Sequence, residues 1–180
     1  MEITGEQLIP LPQQAVWEAL NDPEILRQCI PGCESVERIT ESEYKMTMVA
    51  AVGPVKAKFT GKLTIVDPMP PESYAIAFEG SGGVAGFGKG RAEVGLTQES
   101  DTVTVLTYRA NATVGGKIAQ VGSRLIDGVA RKMAEGFFER FNQTVSPPAE
   151  DGENGDDTEG GKPARRWGWF GRKSAPDQAD

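Results

Sequence analysis

The sequence contains no histidine among its 180 residues, and this absence excludes several common kinds of chemistry. Without an imidazole there is no Ser-His-Asp or Cys-His catalytic group and no histidine-ligated metal. Proton transfer near neutral pH would need a carboxylate, lysine, tyrosine or cysteine whose pKa is shifted by its surroundings. We therefore expect no catalytic residues and no metal site.

Cysteine is also scarce, since Cys29 and Cys33 are the only two residues of that type. Two thiols are too few for a disulfide scaffold or for a four-thiolate iron–sulfur cluster. They lie on either side of Ile30-Pro31-Gly32. Two interpretations remain open. One is a structural turn in which one or both thiols are buried, and the other is a redox or metal site, for which a metal would need two further ligands.

Long apolar runs and a basic N-terminus are missing as well. No run approaches the length of about 18 residues that a membrane-spanning helix needs. The first ten residues hold two acids and no base, so we expect no signal peptide. Acidic residues outnumber basic ones by 26 to 19, for a net charge of −7, and such a chain is a poor candidate for binding nucleic acid. These absences predict a cytoplasmic protein without a nucleic-acid partner.

The composition changes abruptly near Ser146 and divides the chain into three parts. Residues 1–145 have the mixed composition of a globular domain, whereas residues 146–161 contain six acids and no large apolar residue. A segment of that kind cannot bury enough surface to offset the entropy lost on ordering. We therefore predict a folded domain over residues 1–145, an acidic disordered linker over 146–161, and a basic-aromatic tail over 162–180.

Several segments alternate apolar and polar residues with a period of two, as half-buried strands do. The clearest runs from Val55 to Ile65, in which Lys56, Lys58 and Lys62 share the polar face. Other alternating segments cover residues 44–48, 74–78, 88–96 and 102–114. The last one changes its alternation after Val105, which suggests a bulge or a strand covered on both faces. Short turns separate the strands, so the sheet is predicted to be antiparallel.

Helical patterns occur only near the two ends of the predicted domain. Pro12 opens one short helix, and Asn21-Asp22-Pro23 starts a second. From about Lys117 to Thr144, apolar residues recur at steps of three or four, which predicts an amphipathic helix roughly 40 Å long. The fold class is therefore α+β. A curved antiparallel sheet of about seven strands wraps around the long C-terminal helix and leaves an apolar cleft between them.

Glycine-rich positions allow two interpretations each. Gly122, Gly128 and Gly136 interrupt the long helix, either to permit close packing on the sheet or to leave room for a ligand. Residues 80–90 loosely match a dinucleotide-binding motif, but strand-like alternation follows where phosphate binding would need a helix N-terminus. A hairpin loop is the simpler interpretation, in which Phe87 acts as a gate hinged by the glycines.

The order of these elements resembles the helix-grip fold of the START-like superfamily, also called SRPBCC, which includes polyketide cyclases and lipid-transfer domains. Within it the chain resembles the G-subunit family of carbon monoxide dehydrogenase. The stretches that carry the resemblance are Ala15–Trp17, Asp22-Pro23, Ile30–Glu34, Val55–Gly61, Gly115–Lys117 and Gly122–Arg124. The resemblance spans most of residues 1–145, and its most specific motifs are Pro-Gly-Cys and Lys-Phe-Thr-Gly.

The resemblance implies a non-catalytic accessory protein that works with a molybdenum-containing hydroxylase at the cytoplasmic membrane. Because such an enzyme must pass electrons to a carrier dissolved in the bilayer, a lipid-soluble quinone is the expected ligand of the cleft, with no covalent cofactor. Two other hypotheses remain open: a factor for maturation or assembly of the molybdenum enzyme, and a cyclase-like enzyme that would use polar residues in the cleft. The polar candidates for the second are Tyr44, Glu79, Tyr108 and Arg109.

The predicted ligand cavity consists of apolar and aromatic residues expected on the inward faces of the strands and the helix. Methionine and aromatic rings adapt well to a planar apolar group, although each is equally compatible with a plain core position. The residues are Met46, Met48, Phe59, Phe78, Phe87, Tyr108, Leu125, Val129, Met133 and Phe137.

The tail carries the predicted contact with the membrane, because aromatic rings favour the bilayer interface and bases favour an anionic leaflet. The residues are Arg165, Arg166, Trp167, Trp169, Phe170, Arg172 and Lys173. We expect reversible peripheral binding to the inner face of the cell membrane. A disordered tail and a motif for a protein partner are the alternatives. The lysine face at Lys56, Lys58 and Lys62 is either a solvated outer surface or a docking surface for an acidic partner or lipid headgroups.

Overall fold

The computed structural model describes residues 1–146, and residues 1–145 form one compact unit of the chain. The linker after Ser146 and the whole basic-aromatic tail lie outside the described residues. The elements follow in the order β1 (Glu2–Ile9), α1 (Gln13–Leu20), α2 (Pro23–Cys29), β2 (Cys33–Arg38), β3 (Glu43–Val52), β4 (Val55–Met69), β5 (Ser73–Ser81), β6 (Phe87–Ser100), β7 (Val103–Gly115) and α3 (Ser123–Val145). Two 3-10 turns, Gly83–Ala85 and Gly116–Val121, precede β6 and α3.

The strands form one antiparallel seven-stranded sheet in the order β1-β7-β6-β5-β4-β3-β2. Strands β2 to β7 form a meander in chain order, and the first strand, β1, pairs with the last, β7. This confirms the predicted α+β helix-grip architecture, with two short helices after the first strand and one long helix at the end of the domain.

The two short helices begin where the sequence predicts. Pro12 caps α1, and the Asp22 side chain accepts a hydrogen bond from the Glu24 amide at the start of α2, 2.9 Å away. Pro23 then occupies the first turn of α2, where its missing N–H is not needed. These caps fix the turn that brings α2 under the edge of the sheet.

The period-two pattern of β4 is confirmed. Val55, Ala57 and Phe59 are half-buried on the inward face, and the lysines between them are exposed on the outward face. The change of alternation predicted for β7 is wrong. Thr104 is fully buried, and its hydroxyl donates to the Leu11 carbonyl oxygen at 2.7 Å, so a polar residue continues the inward face.

The long helix begins later than predicted, at Ser123 rather than near Lys117. Residues 116–121 form the 3-10 turn, and Gly122 has a φ of +98° that an α-helix does not accept. The helix therefore has 23 residues and a length of about 35 Å.

The inward face of α3 also differs from the predicted apolar stripe. Phe138 and Phe141 are buried, whereas Leu125 is 41% exposed. At about 100° per residue, Leu125 and Val129 lie roughly 160° and 120° around the helix from Phe141. Repeated steps of four residues drift by about 40° each relative to an α-helix, so the predicted stripe leaves the inward face toward the helix N-terminus.

The hydrophobic core lies at one end of the grip. It joins Ile9 of β1, Val16 and Leu20 of α1, and Phe138 and Phe141 of α3 into one buried cluster. Aromatic contacts continue it outward. Trp17 meets Tyr74 edge to face at 5.1 Å, Phe137 meets Phe138 edge to face at 5.0 Å, and Tyr108 stacks on Phe138 at 5.2 Å.

The glycines of α3 do not line a ligand space. A Cβ on Gly136 would lie 3.2 Å from Pro31, so this glycine permits close packing. Gly128 is exposed, and a Cβ placed there meets no atom within 4 Å.

We predict that Gly128→Ala stabilises the protein, because alanine removes backbone freedom from the unfolded chain and meets open space in the helix. The expected gain in the free energy of unfolding is about 1 kcal/mol, measured by urea denaturation. Gly136→Ala is the matched control and should gain less or lose stability, since its methyl group must displace Pro31. A loss of stability in Gly128→Ala would contradict the exposed position of this residue.

Candidate functional site

The half of the inward sheet surface that lies away from the core is built from small residues. Cross-strand pairs join Gly61 to Gly80, Gly80 to Gly88, Gly90 to Ala112, and Ala92 to Ala110. Side chains of this size rise little above the sheet. Facing them, the first half of α3 also presents a small residue, Ala130, on its inward side. The inward sheet surface and the first half of α3 thus carry few large side chains, and we call the space between them the cleft.

Two of these glycines also permit the curvature that shapes the cleft. A Cβ on Gly61 would collide with the Glu79 carbonyl oxygen, and a Cβ on Gly90 would collide with the Asn111 carbonyl oxygen. Only glycine allows neighbouring strands to approach so closely at these bends. The sheet thus curves around α3 at the same place where it lacks side chains.

Four of the predicted cavity residues lie at inward positions of the sheet beside these small residues. Met46 and Met48 on β3, Phe59 on β4 and Phe78 on β5 all belong to inward-facing positions and are half-buried. Phe78 covers Gly90, where a Cβ would lie 2.8 Å from its ring. None of the four belongs to the buried core cluster. Their side chains are therefore available to a ligand.

Two further predicted residues lie at the core end and a third lies on the side of α3. Tyr108 and Phe137 pack against the core cluster rather than over the small-residue surface. Burial raises the pKa of the Tyr108 hydroxyl, so it stays protonated near neutral pH. Met133 is half-buried on the side of α3, about 80° around the helix from Phe141.

Phe87 is not part of the cleft. In β6 the inward positions are even-numbered, from Gly88 to Leu96, whereas Phe87 pairs with Gly115 on the outward face. Its ring covers Gly115 and remains 49% exposed, beside Lys62 and Lys89 in an outer groove of about 420 Å³. The alternation of residues 88–96 already places Phe87 on the face opposite Gly88, so the prediction that Phe87 lines the cavity is wrong.

Leu125 and Val129 lie off the inward face of the helix, and Leu125 instead marks the entrance to the cleft. A Cβ on Gly53 in the β3–β4 turn would lie 2.7 Å from the Leu125 side chain. The mouth is a pocket of about 660 Å³ between this turn and the two 3-10 turns. It is lined by Lys56, Val84, Ala85, Lys117, Val121 and Leu125, together with neighbouring residues of the same turns.

One residue of the inward face, Asp127, was not predicted from the sequence. It lies only about 40° around α3 from Phe141, on the same side of the helix. Its Oδ1 atom is shielded from solvent and has no hydrogen-bond partner among the described residues. A helical projection centred on Phe141 would have shown this acid on a largely apolar face of the helix, and that is the feature by which it could have been predicted. It is a polar acceptor directed toward the sheet.

The two cysteines support the structural interpretation. The Cys29 thiol is buried and lies 3.8 Å from the Thr144 hydroxyl, while the Cys33 thiol donates to the Ser35 carbonyl oxygen at 3.5 Å. Burial raises the pKa of both thiols, so little reactive thiolate is present near neutral pH. Within residues 1–146 no three cysteine or acidic side chains cluster as a metal site would require.

The polar candidates for an enzyme do not meet in the cleft. The Tyr44 hydroxyl donates to the Asn21 carbonyl oxygen at 2.8 Å, inside the core end of the domain. Arg109 lies on the outward face and pairs with Glu2 at 2.7 Å. Glu79 is exposed on the outward face of β5. Tyr108 and Tyr44 both occupy inward positions, but Tyr44 is bonded to Asn21 at the core end and Tyr108 stacks on Phe138.

The lysine face is confirmed as an exposed outward surface of β4. Lys58 pairs with Glu34 at 3.1 Å, and Lys62 lies opposite Glu79 in the sheet register. Opposite charges across neighbouring strands stabilise the sheet modestly. Within the described part of the chain, no helix is long and apolar enough to cross a bilayer. The predicted membrane residues, Arg165 to Lys173, lie outside the described residues.

Known proteins share this sequence pattern and this fold. A family model described as the G subunit of carbon monoxide dehydrogenase (CoxG) matches residues 5–146. No curated protein sequence matches significantly. A conserved protein from Geobacillus kaustophilus is 34% identical, with a TM-score of 0.76 over 81% of this chain and 95% of that one.

Two more distant structures share the fold. A START superfamily protein from Mycobacterium smegmatis is 11% identical, with a TM-score of 0.63 over 80% of this chain and 96% of that one. The Zhui aromatase/cyclase from Streptomyces sp. R1128 is 15% identical, with a TM-score of 0.57 over 80% of this chain and 92% of that one. At this identity the likeness concerns the fold alone.

Proposed function

Since this chain belongs to the CoxG family of carbon monoxide dehydrogenase, we propose that it is a non-catalytic accessory protein of a molybdenum-containing carbon monoxide dehydrogenase or related hydroxylase. It holds an apolar ligand, a quinone, in the cleft and recruits the enzyme to the inner face of the cell membrane. The observation that carries the ligand-binding part is the cleft itself, in which small residues face the first half of α3 while the core fills only the other half.

The chemistry of the walls favours a flat apolar ligand. Phe59 and Phe78 supply ring faces, and Met46 and Met48 supply flexible polarizable side chains that fill gaps around an irregular ligand. Binding sites of this kind are mostly apolar, with a small number of polar groups that set the orientation. A quinone head group has this combination of a planar ring and two polar oxygens.

Asp127 supplies the polar group. A carboxylate accepts hydrogen bonds and donates none, whereas a quinone carbonyl only accepts and a quinol hydroxyl donates. The shielded Oδ1 of Asp127, which has no partner among the described residues, therefore favours the reduced, hydroxyl-bearing form of the ligand. This preference would hold the quinol after it receives electrons from the partner enzyme.

The non-catalytic part of the proposal is supported by the separation of the polar candidates. A cyclase or dehydratase needs a proton donor and acceptor within reach of the same substrate atom. Tyr44, Glu79 and Arg109 are directed to three different places outside the cleft. What the cleft offers is shielding and orientation of a ligand.

We predict that Ala112→Phe weakens ligand binding, because its ring fills the space above Gly90. Binding of a short-chain quinone, measured by native mass spectrometry on the full chain, should weaken by about tenfold or more, as overpacking of roughly 1–3 kcal/mol implies. Thr113→Phe adds the same ring to the exposed face of the same strand and should leave binding unchanged. Equal binding by both variants would place the ligand outside the cleft.

A second prediction concerns Asp127 and the redox state of the ligand. The wild-type protein should bind a short-chain quinol more tightly than the corresponding quinone, and Asp127→Asn should lose most of this difference because an amide both donates and accepts. Titrations under anaerobic conditions measure the two affinities. Glu135→Gln, which neutralises an exposed acid on the same helix, is the control. An unchanged ratio in Asp127→Asn would remove this residue from the site.

The tail is proposed as the membrane anchor of the accessory protein. Replacing Trp167, Trp169 and Phe170 by alanine should weaken flotation with anionic vesicles even at low salt, because the apolar contribution is lost. Neutralising Arg165, Arg166, Arg172 and Lys173 should instead remove the part of the binding that salt screens. Binding that is unaffected by both sets of changes would assign the tail to a protein partner.

A further inference from the structure

Charge is distributed unevenly between the two ends of the sheet. At the end opposite the mouth, the three turns 39–42, 70–72 and 101–102 each contain one acid, respectively Glu41, Glu72 and Asp101, and no base. At the mouth, the connecting segments 53–54, 82–86 and 116–122 contain Lys117 and no acid. The fold therefore has a positive end and a negative end, although the chain as a whole carries −7.

The absence of acids extends into the central strands around the mouth, whereas the edge strands β1 and β2 each place one acid at this end, Glu2 and Glu34, which pair with Arg109 and Lys58. Residues 45–66, 80–92 and 110–126 contain no aspartate or glutamate. Lys56 and Lys117 line the mouth pocket, and Arg124 is exposed at the start of α3 beside Leu125. Within residues 1–146 none of these three bases takes part in an ion pair, whereas Lys58 on the outward face is paired with Glu34. The positive charge at the mouth is thus left unneutralised.

The same end exposes apolar side chains. Val84, at the tip of the Gly83–Ala85 turn, is 90% exposed, and Leu125 is 41% exposed at the rim of the pocket. Exposed apolar residues also occur at the opposite end, where Ile39 is 54% exposed, but there they are accompanied by acids. The combination of free bases, exposed apolar tips and connecting segments without acids is found at the mouth.

We propose that the mouth of the cleft docks directly on an anionic lipid bilayer. Val84 and Leu125 enter the interfacial region, and Lys56, Lys117 and Arg124 contact the lipid headgroups. The acidic turns at the other end are repelled by the same surface, which orients the domain with its cleft facing the lipid. An apolar ligand then moves between bilayer and cleft without crossing water. The inference rests on the membrane recruitment proposed above, but it assigns a contact to the folded domain in addition to residues 162–173.

Vesicle flotation with a matched pair of full-length variants tests this assignment. Val84→Glu and Ile39→Glu each place one negative charge on an exposed apolar position, at opposite ends of the sheet, so they change net charge equally. Neither position is buried, so both variants should fold. With phosphatidylcholine–phosphatidylglycerol vesicles, Val84→Glu should bind about fivefold more weakly, the effect of about one unit charge near an anionic surface. Ile39→Glu should bind like the wild type.

A fluorescent label reports the orientation independently of affinity. In a Cys33→Ser background, where Cys29 is buried, an environment-sensitive probe is attached to Val84→Cys or to Ile39→Cys. Anionic vesicles should shift the emission of the probe at position 84 to the blue and leave the probe at position 39 unchanged.

The outcomes separate the two proposals. If the wild-type chain floats with vesicles while Val84→Glu matches Ile39→Glu and the probe at position 84 does not respond, the mouth is not the docking face and the tail alone binds. If the wild type does not float at all, membrane recruitment itself fails, and the docking inference fails with it. A probe at position 84 that responds only when the partner dehydrogenase is added would assign the mouth to protein and overturn the inference.

Discussion

Packing of Phe138 and Phe141 against the sheet holds α3 at one end only, and the cleft depends on this asymmetry. The two rings join α1, α2, β1 and the second half of α3 into one continuous core. The first half of α3 makes no comparable contact. It faces inward positions held by glycine and alanine, and its Leu125 side chain lies against Gly53 in the β3–β4 turn. The core at the other end therefore supplies the burial that holds α3 on the sheet.

Curvature and open space arise from the same residues. Gly61 and Gly90 allow the strands to bend so closely that any side chain would meet a backbone carbonyl of the next strand. A sheet that curves at these points must also lack side chains there, because the two requirements fall on one residue type. The rings of Phe59 and Phe78 then lie over neighbouring glycines and restore contact only along the walls. The curvature of the sheet and its shortage of inward side chains therefore have one cause.

How much of this could be predicted from the sequence depends on how local the cause is. Period-two alternation depends only on neighbouring residues, so β4 and its outward lysines were predicted correctly. The helix face was not, since the error of a four-residue step accumulates along the helix and moved the predicted stripe to Leu125 and Val129. The prediction for Phe87 was wrong for a different reason: the alternation of residues 88–96 places Phe87 on the outward face, and the cavity assignment did not follow that alternation. The inward position of Asp127 was not predicted because the helix face was assigned wrongly. The inward position of Thr104 was not predicted because a polar residue was assumed to face outward.

The topology explains how an acidic chain carries a basic end. In an antiparallel meander every second turn arrives at the same end of the sheet, so segments that are far apart in sequence, such as 53–54, 82–86 and 116–122, are collected together. Bases in and beside these segments add up at one end, and the acids of the intervening turns add up at the other. The strands that separate the two sets of turns are also those that line the cleft. The positive end of the domain is therefore also the end at which the cleft opens. An electric field that attracts this end to an anionic surface would also turn the entrance of the cleft toward that surface.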